Sequence, residues 1–150
     1  MNIVNQSQTI LIVDDSDDDY DATARALRKD KNLKNPLHRC EDGKEALDYL
    51  FRRGAYSDLT IADRPGIILL DLNMPRLDGR EALSIMKSDS DLRRIPVVVL
   101  TTSKADEDIV KSYDLGANSY IVKPVTFEAL VDILQTLEKY WFQIVERSNR

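Results

Sequence analysis

Asp14 and Asp15 close one short apolar run, Asp71 closes another, and Thr101 and Lys123 each close one more. The runs are Thr9–Val13, Ile67–Leu70, Val97–Leu100 and Ser119–Val122, and each reads as a buried strand. Laid parallel in one sheet, their carboxyl ends face the same edge, where open α/β sheets bind ligands. Three carboxylates, a hydroxyl and an ammonium then converge in one crevice. Two like charges ~4 Å apart repel by about 4 kcal/mol at an effective dielectric of roughly 20. Three such acids require proton uptake or a bound cation, and a hard, water-retaining ion such as Mg2+ suits them better than zinc. The ammonium of Lys123 offsets charge there and donates to phosphate oxygens. Acids at strand-to-helix turns also cap helices; that account suffices for Asp17, Asp18 and Asp19, which are assigned no chemistry.

The elements that must position these groups alternate along the chain. After the strand Thr9–Val13, Tyr20, Ala24 and Leu27 fall at helical spacing behind an acidic start that suits the helix macrodipole. Leu37–Cys40 is a brief strand after Pro36, Glu41-Asp42-Gly43 is turn chemistry, and Ala46, Leu47 and Leu50 mark a second helix. Arg52–Pro65 reads as a connector longer than usual. Ala82, Leu83 and Met86 belong to a third helix after Leu77-Asp78-Gly79, and Ile109, Val110 and Tyr113 to a fourth, ended by Gly116. Pro96–Thr101 is the most β-branched run and hence a central strand. Thr126 caps a long final helix. Strict strand–helix alternation predicts an α/β, flavodoxin-like three-layer sandwich: a five-stranded parallel sheet in order 2-1-3-4-5 with five helices.

The 150 residues make one domain, with a core over about 8–140 and a last helix reaching about 146. A composition of 43% apolar and 31% charged residues, with net charge −5 and no basic stripe, excludes a nucleic-acid partner. No apolar stretch approaches the ~20 residues a membrane helix needs, and the N-terminus carries no signal pattern. Cys40 is the lone cysteine, so neither an internal disulfide nor a cysteine metal site forms, and a reduced, cytoplasmic protein is expected. Cys40 itself reads as a small buried hydrophobe. His38 sits on a short strand rather than an exposed helix face, which argues against a histidine phosphodonor.

The segments Val13-Asp14-Asp15, Leu70-Asp71-Leu72-Asn73-Met74-Pro75…Asp78-Gly79, Leu100-Thr101-Thr102-Ser103 and Tyr120-Ile121-Val122-Lys123-Pro124 resemble the receiver domain of two-component response regulators. The resemblance covers roughly residues 8 to 140. It implies that Asp71 accepts a phosphoryl group from the histidine of a sensor histidine kinase. It implies further that Asp15, Asp71 and the backbone carbonyl of Asn73 bind Mg2+ directly, with Asp14 acting through a water. Lys123 then contacts the phosphoryl oxygens, Thr101 hydrogen-bonds them, and Tyr120 changes rotamer as Thr101 moves. The connector, Pro96–Ser103 and the aromatic end of the last helix are similar to regulators of phytochrome-type kinases.

With no room for an output domain beyond residue 140, the expectation is a stand-alone receiver that signals by binding a downstream protein or by passing its phosphoryl group to a phosphotransfer protein. It is expected to be no enzyme beyond its own phosphorylation and dephosphorylation. An aspartyl-phosphate phosphohydrolase would want a second acid two residues after the nucleophile, where Asn73 stands. A flavin- or nucleotide-binding module needs a Gly- or Ser/Thr-rich phosphate cradle after the first strand, where Asp14 and Asp15 would repel it. Finally, Phe127, Leu130, Val131, Leu134, Leu137, Trp141 and Ile144 trace an apolar face, widened by Ile133, Tyr140 and Val145. About 18 helical residues reach ~27 Å, longer than the sheet can cover. A twofold homodimer through this helix is expected, with Tyr140-Trp141-Phe142 in its interface.

Overall fold

The computed structural model describes residues 8–29, 34–58, 64–71, 79–101, 119–122 and 126–148. Strands β1 (Thr9–Val13), β2 (Leu37–Cys40), β3 (Pro65–Asp71), β4 (Val97–Thr101) and β5 (Ser119–Val122) form one sheet in the order β2-β1-β3-β4-β5. Every neighbouring pair is parallel. Among the described residues there are four α-helices: α1 (Asp17–Arg28), α2 (Gly43–Phe51), α3 (Gly79–Ser88) and α4 (Phe127–Ser148). The further helix expected around Ile109–Tyr113 lies outside the described residues.

Alternation along the central strands divides the core in two. Leu11, Val13, Ile68, Leu70, Val97 and Val99 point to one face and pack with Ala46 and Leu47 of α2 and Ala82, Leu83 and Met86 of α3. Ile10, Ile12, Ile67, Leu69, Val98 and Leu100 point to the other and pack with Ala26 and Leu27 of α1 and Leu130, Leu134 and Leu137 of α4. Strands buried on both faces must be apolar throughout, which is why these runs are continuous rather than alternating.

Local chemistry sets the helix ends. Ser16 Oγ accepts the Asp19 amide at 3.1 Å, so Ser16 is the N-cap of α1 and Asp17–Asp19 occupy its first turn, as the acid-rich start predicts. Asp42 caps α2 by accepting the Glu45 amide at 2.8 Å, and Thr126 caps α4 by accepting the Ala129 amide at 3.2 Å.

Three sequence expectations shift. β3 begins at Pro65 rather than Ile67, because Pro65 opens the strand opposite Thr9, where its missing N–H costs little. In α1 the buried residues are Thr23, Ala26 and Leu27, while Ala24 is half-buried. In α2 Tyr49 is fully buried and Leu50 lies at the core's margin. The connector after α2 is partly ordered by a 3-10 turn at Gly54–Tyr56, whose Tyr56 packs back on the core.

Candidate functional site

β1 and β3 lie side by side, with Val13 paired to Leu70, so Asp14, just past β1, and Asp71, the last residue of β3, stand level at the same edge. Carboxylate oxygens of Asp14, Asp15 and Asp71 all come within 4.8 Å of one another. Their burial is graded: Asp14 is enclosed, Asp71 is half-buried and Asp15 is exposed. A shared crevice that is dry on one side and open on the other can admit a cation with part of its water shell. The all-oxygen donor set fits a hard divalent ion, which keeps waters and takes only a few carboxylates from the protein.

The turn that carries Asp14 is fastened from several sides. Its amide donates to the Cys40 carbonyl at 3.0 Å, and its Oδ1 accepts the Ser16 amide at 3.0 Å. Arg39 Nε donates to the Asp14 carbonyl at 3.1 Å while Nη1 donates to Asp17 Oδ1 at 2.6 Å. The same guanidinium lies over the Tyr20 ring, 5.2 Å from its centroid. Arg39 and Ser16 are the supporting residues that reading the sequence missed. Ser16 directly before an acidic helix start is a capping signal that could have identified it; no local sequence signal marks Arg39, since its role depends on which strand β2 pairs with.

The register carries the remaining expected groups toward the same edge. Asp71 pairs with Leu100, so Thr101 stands one residue further along β4, and Thr101 pairs with Val122, the last residue of β5. The backbones of Thr101 and Tyr120 are in these strands; their side chains fall outside the described part of the structure, as do Asn73 and Lys123 altogether. The acidic triad is therefore brought together, and the other members of the set are not described. A cavity of about 340 Å3 opens elsewhere, lined by Tyr49, Arg52, Arg64, Pro65, Asp89 and Asp91, at the edge where β3 begins. None of the acidic triad lines it.

Cys40 is fully buried, and burial pushes its thiol up, away from the reactive range. Its burial agrees with the expectation of a small enclosed side chain.

The chain belongs to the response regulator receiver domain family, whose profile matches residues 10–135. Response regulator Rcp1 of Synechocystis sp. is 39% identical over 141 residues, spanning 94% of this chain and 93% of that protein. Among solved structures, the phosphorylated cyanobacterial phytochrome response regulator RcpA superposes with a TM-score of 0.83 at 41% identity, covering 91% of this chain and 94% of its own. The Mn2+-bound form of Rcp1 gives 0.81 at 40% identity, covering 89% and 94%. The protein is thus a receiver-type response regulator of two-component signalling, with the sheet order expected from its sequence, and the divalent ion in that relative agrees in kind with the oxygen donors here. No helix among the described residues is long and apolar enough to cross a membrane.

Proposed function

We propose that Asp71 is the phosphoacceptor, taking a phosphoryl group from the phosphohistidine of a sensor histidine kinase in a Mg2+-dependent reaction. The observation that carries this is the convergence of Asp14, Asp15 and Asp71 within 4.8 Å, with Asp71 at the end of the central strand β3. In the reaction a carboxylate oxygen of Asp71 forms a bond to phosphorus as the phosphorus–nitrogen bond to the donor histidine breaks. The donor recovers a neutral imidazole, and Asp71 becomes an acyl phosphate.

Asp15, Asp71 and the backbone carbonyl of Asn73 would hold Mg2+, with Asp14 acting through a water. The ion's chemistry is charge neutralisation where phosphoryl and carboxylate oxygens meet. Lys123 contacts the phosphoryl oxygens and Thr101 hydrogen-bonds one of them. Tyr120 takes the space that Thr101 vacates on moving toward the site. A packed interior supports two such discrete arrangements better than a continuum, so the response is a switch. Apart from its own phosphorylation and dephosphorylation, the protein catalyses nothing.

The likeness to a phytochrome response regulator supports a phytochrome-type kinase as donor. The switched form signals in the cytoplasm by binding a downstream protein or a phosphotransfer protein. Residues 1–150 act as a single receiver domain. A homodimer through α4 rests on the apolar residues of its sequence beyond Leu137, Tyr140-Trp141-Phe142 and Ile144.

The test is phosphotransfer from an autophosphorylated phytochrome-type kinase. Label should pass to the wild type and to Asp18→Asn but not to Asp71→Asn. Label on Asp71→Asn, or none on any of the three, overturns the assignment.

A further inference from the structure

A second group of metal-ligating side chains lies beneath the β2–α2 turn, away from the acidic triad. His38 and Cys40 are two residues apart on β2 and so face the same side of the sheet. Glu45 sits in the first turn of α2, directly above them. Its Oε1 accepts the Glu41 amide at 2.8 Å, which fixes the carboxylate and leaves Oε2 turned toward the strand. One ligand atom from each of His38, Cys40 and Glu45 falls within 4.8 Å of the other two.

The Tyr56 phenol stands among them. It donates to Glu45 Oε2 at 2.5 Å and lies 3.0 Å from His38 Nε2. One hydroxyl bonded to two of the three donors stands between them, where an entering ion would have to replace it. Tyr56 belongs to the short 3-10 turn Gly54–Tyr56 in the connector, flanked by the exposed Arg53 and Ser57. Lifting that turn would withdraw the phenol and give up the contacts of the Tyr56 ring with His38 and Tyr49.

We propose that His38, Cys40 and Glu45 form a site for a thiophilic divalent ion of the zinc type, entered by displacement of the Tyr56 hydroxyl. Sulfur, imidazole nitrogen and carboxylate oxygen are each zinc donors, and three protein ligands leave the fourth tetrahedral position to water. This set is as unsuited to Mg2+ as the all-oxygen triad is suited to it. A single cysteine suffices because the strand and helix supply the other two ligands. On coordination the thiol proton passes to bulk water and a sulfur–metal bond forms, while the phenol exchanges its partners for solvent. The ion would sit one residue from the catalytic edge, since the Cys40 carbonyl accepts the Asp14 amide.

Cobalt(II) is the probe, because its thiolate complexes absorb by charge transfer in the near ultraviolet and Cys40 is the lone thiol. Wild type and Asp71→Asn should both develop one equivalent of this band, bleached by Zn2+ and unaffected by Mg2+. Cys40→Ala should lose it. His38→Gln and Glu45→Gln, whose folding is checked by thermal melts, should weaken cobalt binding at least tenfold. Tyr56→Phe should tighten it severalfold by removing the competing hydroxyl. Absence of the band in wild type at millimolar cobalt, or equal affinity in His38→Gln and Glu45→Gln, overturns the site. Weaker binding by Tyr56→Phe overturns the displacement.

Discussion

Arg39 holds Asp14 by its backbone: the guanidinium Nε donates to the Asp14 carbonyl at 3.1 Å while Nη1 reaches Asp17. One side chain from β2 thereby spans the turn between the enclosed acid of the site and the first residue of α1. The Tyr20 ring beneath the guanidinium limits its movement.

Removing that brace should loosen the triad without removing a ligand. Arg39→Ala is expected to lower Mg2+ affinity about tenfold, the lower end of the range for groups that support metal ligands. Magnesium titration followed by amide chemical shifts reads this directly, and unchanged affinity would mean that the turn holds itself.

The two faces of the sheet predict a contrast in stability. Leu134 is fully buried between α4 and the sheet, whereas Ile85 on α3 is 40% exposed. Leu134→Ala should cost about 2–5 kcal/mol through lost burial and a residual cavity. Ile85→Ala should stay within about 0.5 kcal/mol, as surface changes do. Urea denaturation of both variants checks the difference.

Burial lowers the His38 pKa below its ordinary 6.5, and Glu45 only partly offsets the effect. The groups facing the imidazole are Glu45, Cys40, Tyr49 and Tyr56. Just below pH 6.5 the unfolded chain therefore binds more protons at this position than the folded chain. The contribution of His38 to stability falls as pH drops through that window and is constant above it. His38→Gln should flatten this part of the stability profile, measured by urea midpoints with a chelator present. A slope equal to that of the wild type would contradict it.

The strands that hold the site were legible because burial on both faces leaves an unbroken apolar run, as in Thr9–Val13 and Val97–Leu100. The start of β3 was not, since Pro65-Gly66 reads as turn chemistry until its position opposite Thr9 is known. Thr23 and Tyr49 are buried although the apolar pattern of their helices points to Ala24 and Leu50, since burial there follows from tertiary packing. The acids of the site could be read from their place after strands. Arg39 and Tyr56 could not, since each acts across 25 or 11 residues of chain through contacts that only tertiary packing creates.

The central claim is that Asp71 is the acceptor in a metal-assisted reaction. Intact mass measurement after incubation with Mg2+ and acetyl phosphate tests it without a kinase. One added phosphoryl group, stable in acid, labile in base, absent with chelator and absent in Asp71→Asn, is the predicted result. A phosphoryl group retained by Asp71→Asn would place the acceptor elsewhere and contradict the account.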